Sequence, residues 1–224
     1  MAKAGRSPNP ASNISRRRQN ARTDGSEDYA TKRSELVAIA SALFKEKGFE
    51  ATTLADVGER AGLDRATVYY YVGSKQELLQ TSTEGILDEN LNTAERLRLE
   101  KDISPREKLR MLITSVMKSY DASYPQMYVY IQEQMHQVAN DASPWAKEVQ
   151  RKTRRLETIV RELVEQGMEQ GKLRNDIDVR VAVKGLFGML NWTSRWYTPG
   201  SSVSADKVAE TFCKLFFEGM QRSR

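Results

Sequence analysis

Three consecutive tyrosines, at positions 69 to 71, lie between Arg65 and Lys75 in a chain that has nine tyrosines in all. A phenol ring can pack on a sugar or a thymine methyl group while its hydroxyl donates to a phosphate oxygen or a base edge. A guanidinium can pair with O6 and N7 of guanine, and an ammonium at a helix start can hold a phosphate. A salt bridge to Asp64 or Asp56 is the alternative for the arginine. These residue types predict a surface that contacts DNA.

Two short helices joined by a glycine turn position these residues. Thr53 and, three residues on, Asp56 form a capping-box pattern that starts a helix running to about Ala61. Gly62 then marks a tight turn, and Asp64 can cap the next helix. This is the spacing of a helix-turn-helix, whose second helix enters the major groove of DNA.

The second of these helices can bury only one face. Val68 and Val72 lie four residues apart and share that face. Tyr69 and Tyr70 project to other sides, so the three rings cannot all be core. The alternative to DNA contact is one core ring, one ring hydrogen-bonded to hold the fold, and one ring that is merely exposed.

The stretch TTLADVGERAGLDRATVYYYVGSKQELL, residues 52–79, resembles the DNA-binding region of the TetR family of bacterial repressors. With the preceding ALFKEKGFEA, the resemblance covers about residues 31–79. Val72 departs from the family pattern, which most often has Phe there, and this change should not alter the DNA face. The resemblance implies that the DNA backbone is held by Thr53, Thr67, Tyr69, Tyr71 and Lys75. It implies that the bases are faced by Arg65, Ala66 and Tyr70.

The rest of the chain is helical in pattern, with no alternating strand pattern bounded by turn residues. Helix starts and stops are marked by Gly48, Ser104, Pro105, Pro125, Pro144, Gly171, Asp178, Pro199, Gly200 and Ser204. We predict an all-α fold of about nine helices, with an N-terminal three-helix helix-turn-helix domain and a C-terminal helical ligand-binding and dimerisation domain. The predicted parts are a disordered basic tail (1–28), the helix-turn-helix DNA-binding domain (29–75) and the ligand-binding and dimerisation domain (76–224).

Charge is distributed unevenly along a chain whose formal net charge is +5. Residues 1–28 hold six basic and three acidic residues and almost no large apolar side chain, so they cannot offset the entropy of ordering. Residues 29–80 hold seven basic and seven acidic residues, which predicts few ionic contacts between each subunit and DNA. We expect the arginines of the tail to add sequence-independent affinity, as basic arms do in a minor groove.

Composition argues against several other classes of protein. The single cysteine, Cys213, and the single histidine, His136, provide no internal disulfide and no cluster with metal-ligand spacing. The longest apolar runs are far shorter than the ~20 residues needed to span a bilayer, and the N-terminus lacks the apolar core of a secretory signal. The sequence predicts a cytoplasmic protein that stays out of the membrane and uses no metal or other cofactor.

The last two helices carry a candidate dimer surface. Residues 179–197 and 204–220 are apolar on more than one side, and Gly185 and Gly188 permit close approach of another helix. One short reading helix covers few base pairs, so two copies on a palindrome with half-sites about 34–36 Å apart are expected. A buried core within one chain explains the same pattern. The family resemblance favours a homodimer on a palindromic double-stranded operator.

Aromatic and methionine side chains accumulate in the middle helices, a composition that suits an adaptable apolar pocket. Plain core packing explains any one of them equally well. Trp192 and Trp196, four residues apart, share a helical face and are alternatively core or dimer residues. The candidate ligand-binding residues are Tyr120, Tyr124, Met127, Tyr128, Ile131, Met135, Trp192 and Trp196.

The segment KLRNDIDVRVAVKGLFGMLNWTSRWYTPG, residues 172–200, is similar to the C-terminal region of TetR-type regulators that respond to fatty acyl-CoA and related CoA thioesters. Such an effector needs an apolar tunnel and cations for its phosphates. The candidate cations are Arg151, Arg154, Arg155 and Arg195. A solvated charged face is the alternative for the first three.

The predicted function is a homodimeric transcriptional repressor that a small apolar effector releases from its operator. An acyl-handling enzyme is a second hypothesis, but one histidine and one cysteine 77 positions apart, without a Gly-rich phosphate loop or a serine elbow, offer little for catalysis. Two further functions fit the sequence. The protein could bind a small molecule without using its helix-turn-helix in transcription. It could also be a helical module whose tyrosines contact another protein.

Overall fold

The computed structural model describes residues 27–138 and 140–219, which form nine helices and no strand. In chain order they are α1 (Glu27–Lys47), α2 (Leu54–Ala61), α3 (Arg65–Tyr71), α4 (Lys75–Leu99), α5 (Pro105–Ala122), α6, α7 (Pro144–Glu169), α8 (Val179–Trp192) and α9 (Ala205–Gly219). Helix α6 is continuous but changes its winding, from α-helical over Gln126–Val129 to π-helical over Tyr130–Gln134 and back to α-helical over Met135–Val138. The predicted all-α fold is confirmed.

The first helix begins earlier than the sequence pattern indicates. Most of the predicted disordered tail lies outside the described residues, but its last two residues, Glu27 and Asp28, already belong to α1. The predicted start at about Thr31 is therefore late by one helical turn. Two acidic residues in the first turn complement the positive end of the helix dipole, and this explains why the helix extends back to them.

The described chain divides into two compact units, with the division between Ser82 and Thr83, inside α4. The boundary proposed from the sequence, after residue 75, lies at the start of that helix. The N-terminal unit is built on the apolar face of α1, where Leu36, Ala40 and Phe44 are buried as their helical spacing predicts.

The C-terminal unit has a continuous hydrophobic core in which α5 packs against α7 and α9, and α7 packs against α8. Ser104 and Asp178 cap helices as the sequence predicts, and Ser143 caps the helix whose start was marked by Pro144. The side-chain oxygens of Ser104, Ser143 and Asp178 accept from backbone N–H groups in the first turns of α5, α7 and α8. Among the helices of the described residues, none combines the length and apolarity needed to cross a bilayer.

Helix α8 ends before the predicted stop. It runs to Trp192 and continues as a single 3₁₀ turn over Thr193–Arg195, after which Trp196 has left the helix with φ −139°. The Thr193 hydroxyl donates to the Leu190 carbonyl at 2.6 Å, a local bond that competes with regular helical bonding. The expectation that Trp192 and Trp196 share one helical face is therefore wrong.

Candidate DNA-binding face and effector cavity

The start of α2 is fixed by the capping box that the sequence predicts. Thr53 Oγ1 accepts from the Asp56 backbone N–H at 3.2 Å, and the Thr53 backbone N–H donates to Asp56 Oδ2 at 2.7 Å. Hydrogen bonds from Lys47 and then Thr53 lower the pKa of Asp56 to about 2, so the carboxylate stays ionised at neutral pH. The Thr53 hydroxyl, predicted to hold the DNA backbone, lies exposed at the N-terminus of α2.

The turn between α2 and α3 depends on two glycines. Gly62 ends α2 with φ 65°, the left-handed conformation that favours glycine. Gly58 lies buried in the middle of α2, and a β-carbon added there would lie 2.9 Å from the backbone oxygen of Leu63 and 3.0 Å from Cγ2 of Val68. Gly58 therefore allows α2 to approach both the turn and α3 closely.

Replacing Gly58 by alanine is expected to lower the free energy of unfolding by about 1–3 kcal/mol, because the new methyl group overpacks against backbone that side-chain rotation cannot move. DNA binding should weaken as α3 shifts. Thermal unfolding and fluorescence anisotropy measure the two effects. Gly85→Ala is the matched control: it has open space at the added β-carbon and should gain up to about 1 kcal/mol of helix propensity. Equal stabilities of the two variants would contradict this account.

The tyrosines of α3 form an aromatic cluster with Tyr29 of α1. The Tyr29 ring centre lies 5.6 Å from that of Tyr70 and 5.1 Å from that of Tyr71, and its hydroxyl donates to the Tyr71 carbonyl at 3.2 Å. Tyr69 instead lies under the guanidinium of Arg65, 5.5 Å from its ring centre. All three rings of α3 are half-buried, so none is a core residue and none is merely exposed. Each ring both braces the unit and presents an edge to solvent.

Arg65 is exposed at the first position of α3 and has no ion pair among the residues that the structure describes. The two carboxylates that could neutralise it are engaged elsewhere. Asp64 caps α3 by accepting from the backbone N–H and the hydroxyl of Thr67, both at 2.9 Å, while Asp56 pairs with Lys47 at 2.8 Å. The salt-bridge alternative for Arg65 is not realised, and the residue remains exposed to solvent.

Lys75 has a structural role beside its predicted one. Its ammonium donates to the carbonyl oxygens of Phe49 at 2.7 Å and Glu50 at 3.1 Å, and it lies 4.3 Å from the centre of the Phe49 ring. An ammonium has three donors, so a single N–H remains for a phosphate. The predicted DNA contact of Lys75 therefore competes with a bond that ties α4 to the loop before α2.

Six of the eight predicted DNA-binding residues lie on α3, with Thr53 at the start of α2 and Lys75 at the start of α4. Arg65 and Ala66 are exposed on α3, whereas Thr67 and the three tyrosines are half-buried on the same helix. Two contributors escaped the sequence reasoning. The sequence carried a signal for Gly58, because an isolated glycine in a helical pattern indicates close backbone approach. No local pattern pointed to Tyr29, because its contact with Tyr71 joins residues 42 positions apart.

The C-terminal unit contains a cavity of about 60 Å³ among α4, α5, α6, α7 and α8. Of the predicted ligand-binding residues, Tyr120, Met127 and Met135 line it, and Tyr124, Tyr128, Ile131, Trp192 and Trp196 do not. Tyr128 instead donates to the Thr193 carbonyl at 3.3 Å, and burial raises its pKa to about 12. Tyr130, which belongs to the same aromatic and methionine collection of the middle helices, also lines it. The lining that the sequence reasoning missed comprises Leu87, Asn90, Val116, Lys152, Thr153, Leu156, Phe187 and Asn191.

A groove of about 340 Å³ adjoins the cavity, because Tyr130, Met135 and Thr153 line both. The π-helical segment of α6 begins at Tyr130, and such segments occur often at functional sites. The groove adds Arg154, Lys184 and Glu157, and the Lys184 ammonium donates to both carboxylate oxygens of Glu157 at 2.8 Å. The cavity and the groove together offer an apolar chamber whose entrance carries one cation without an ion pair among the described residues, Arg154.

The arginines proposed for phosphates differ in their partners. Arg151 pairs with Glu148 at 2.7 Å, and Arg155 pairs with Glu95 at 2.5 Å. Arg154 lines the groove and has no ion pair within the described residues. Arg195 lies 5.9 Å from the centre of the Trp192 ring, outside the groove lining. Of the four candidates, Arg154 is the one placed beside the cavity.

Large apolar side chains are exposed on α8, α9 and the turn after α8. Trp192 is 65% exposed and Trp196 is 49% exposed, so the alternative that places them in the core is wrong. Val181 on α8 and Leu215 on α9 are 69% and 58% exposed. Gly185 and Gly188 have open space where a β-carbon would lie. In a single chain, these helices therefore leave large apolar side chains uncovered.

Two family models match the chain. Residues 36–81 match bacterial regulatory proteins of the tetR family, and residues 102–220 match the tetracyclin repressor-like C-terminal domain. The HTH-type transcriptional repressor KstR2 of Rhodococcus jostii is 30% identical over 197 residues, which cover 88% of this chain and 95% of that protein.

Solved structures share the fold. The ketosteroid transcriptional regulator KstR2 of Mycobacterium tuberculosis has a TM-score of 0.79 at 24% identity, over 85% of this chain and 95% of that one. AibR, solved with isovaleryl coenzyme A and operator DNA, has a TM-score of 0.69 at 17% identity, over 83% of this chain and 98% of that one. The N-terminal and the C-terminal part of the sequence each match a model of the same family, and the fold agrees with this. The chain belongs to the TetR family of bacterial transcriptional regulators.

Proposed function

We propose that the protein is a homodimeric repressor that holds a palindromic operator through α3 and releases it when an amphiphilic effector occupies the cavity. The observation that carries the DNA contact is Arg65, an exposed arginine at the start of α3 whose neighbouring carboxylates are engaged elsewhere. The enzyme alternative is wrong, because the relatives are transcriptional repressors. Beside Arg65, Ala66 and Tyr70 are proposed to face the bases. The DNA backbone is proposed to be held by Thr53, Thr67, Tyr69, Tyr71 and Lys75.

The dimer is proposed to form through α8 and α9. Trp192, Val181 and Leu215 support this, because large apolar side chains exposed on these two helices would leave water if a second copy covered them. A two-fold pair of copies would present two α3 helices to successive major grooves, about 34–36 Å apart. Palindromic DNA then matches the symmetry of the protein.

The effector is proposed to be a thioester of coenzyme A with an apolar acyl chain. The chain would enter the cavity, and the anionic head group would lie in the groove beside Arg154 and Lys184. The AibR structure, with isovaleryl coenzyme A and operator DNA, is a precedent for both ligands on one fold. Because the cavity volume is about 60 Å³, its wall must widen to admit a long acyl chain. The methionine side chains of the wall are adaptable enough to permit this.

Release requires that the effector bind better to a conformation whose two α3 helices are wrongly spaced for the operator. Helix α4 supplies residues to the DNA-binding unit up to Ser82, and it also lines the cavity with Leu87 and Asn90. We propose that this shared helix couples the two units. A coupling of about 1–3 kcal/mol, equivalent to roughly 5–150-fold in operator affinity, is typical of such linkage.

Acyl-CoA thioesters of graded chain length are expected to raise the dissociation constant of the operator complex by roughly 5–150-fold, measured by fluorescence anisotropy at fixed salt. Arg154→Ala should raise the thioester concentration needed for half release by about three- to tenfold, through loss of a charge-assisted contact. Arg161→Ala removes the same charge from α7 outside the groove and serves as the control. An operator complex indifferent to every thioester, or equal effects of the two variants, would contradict the proposed effector.

A further inference from the structure

One polar atom in the cavity wall has no partner. Asn90 of α4 is 4% exposed, and its Oδ1 accepts no hydrogen bond from the residues that the structure describes. Burial of an unsatisfied acceptor costs about 1–3 kcal/mol, so such atoms are uncommon in folded proteins. Asn90 therefore requires an explanation beyond packing.

The hydroxyl groups around Asn90 are engaged elsewhere. The Tyr120 hydroxyl donates to Asn191 Oδ1 at 3.0 Å, and the Tyr130 and Thr153 hydroxyls lie 3.5 Å apart. Burial keeps the pKa of Tyr120 well above its usual range, so this phenol remains a neutral donor to Asn191. The acceptor of Asn90 is thus left open while the hydroxyls of the cavity lining are paired.

The remaining wall is largely apolar, with Leu87, Val116, Met127, Leu156 and Phe187 around the acceptor. A hydrogen bond made in such surroundings discriminates strongly, because a ligand without the donor leaves the buried acceptor unpaired. We propose that the cavity selects an effector whose apolar part carries a hydrogen-bond donor, of which a hydroxyl is the simplest, and that Asn90 Oδ1 receives it. This inference rests on the proposed role of the cavity in effector binding.

Phenol and toluene test this directly, because they have nearly the same shape and differ by a hydroxyl in place of a methyl group. Their dissociation constants are measured by NMR titration of the full-length wild-type protein and of Asn90→Leu. The preference for phenol over toluene should fall about tenfold in the variant, since one hydrogen bond is lost. Asn92→Leu makes the same change at an exposed position of α4 outside the cavity lining, and its preference should match that of the wild type.

The variant should also be more stable without ligand. Asn90→Leu replaces an unsatisfied acceptor by an apolar group of similar size, and its melting temperature should rise by about 2–4 °C. Should leucine prevent folding, Asn90→Ala removes the same acceptor and replaces it in the titration. A change in the phenol preference below twofold overturns the proposal, and so does failure of both fragments to bind the wild-type protein. Neither fragment carries a coenzyme A head group, so this result is independent of whether acyl-CoA thioesters release the operator.

Discussion

Replacing Leu215 by aspartate is expected to leave the protein monomeric and to abolish operator binding. Leu215 projects from α9 and is 58% exposed in a single chain, and Val181 and Trp192 are similarly exposed on α8. A carboxylate at the centre of an apolar interface would be desolvated without a partner. Interface residues of this kind contribute about 2–4 kcal/mol, so the dimer dissociation constant should rise by roughly 30- to 1,000-fold.

The control for this substitution is Leu99→Asp. Leu99 is the last residue of α4, is 66% exposed and lies on neither α8 nor α9. The substitution therefore introduces the same charge on a different surface. Sedimentation equilibrium measures the dimer dissociation constant of each variant, and anisotropy compares a full operator with a single half-site. The dimer interface is placed wrongly if both variants dimerise within threefold of the wild-type protein.

Replacing Arg65 by alanine is expected to weaken operator binding by roughly 5–150-fold and to remove the preference for one base pair in each half-site. The range follows from the 1–3 kcal/mol by which a bidentate arginine distinguishes guanine from other bases. Arg65 is well placed for this role because it is exposed, lies at the start of α3 and has no ion pair among the described residues. Anisotropy on the operator and on single-position variants measures both effects.

Arg60→Ala is the control that distinguishes loss of a base contact from loss of positive charge as the cause of weaker operator binding. Arg60 is an exposed arginine near the end of α2 whose guanidinium pairs with Glu46 at 2.9 Å, so its charge is already compensated. Its removal should change operator affinity little and uniformly across operator variants. If the two substitutions weaken all operators by the same factor, Arg65 acts through general electrostatics and the assigned base contact is wrong.

Local signals allowed the sequence to predict most of the N-terminal unit. Thr53 and Asp64 cap their helices through bonds that reach only three residues, and Gly62 adopts the left-handed turn that glycine favours. What could not be predicted depends on distant contacts. The Tyr29 cluster exists because α1 folds back on α3, and Lys75 meets Phe49 across 26 positions.

The effector site was less predictable for the same reason. Helical periodicity identifies which side chains are apolar but not which of them surround empty space, and Tyr128 and Tyr124 proved to lie outside the cavity lining. The 3₁₀ turn after Trp192 breaks the register that placed Trp196 on the same face. Asn90, whose Oδ1 is the unpaired acceptor of the cavity wall, is an ordinary polar residue in the sequence of α4. Only its burial in the fold shows that this acceptor lacks a partner.

The most direct test of the central claim is fluorescence anisotropy of the purified full-length protein on DNA from upstream of its own gene, against scrambled DNA of equal length and at one salt concentration. A repressor that reads bases through α3 should prefer a palindromic fragment by about 1,000-fold or more, and Tyr70→Ala should reduce that preference. Equal binding to upstream and scrambled fragments, unchanged by Tyr70→Ala, would contradict the assignment of α3 as the reading helix.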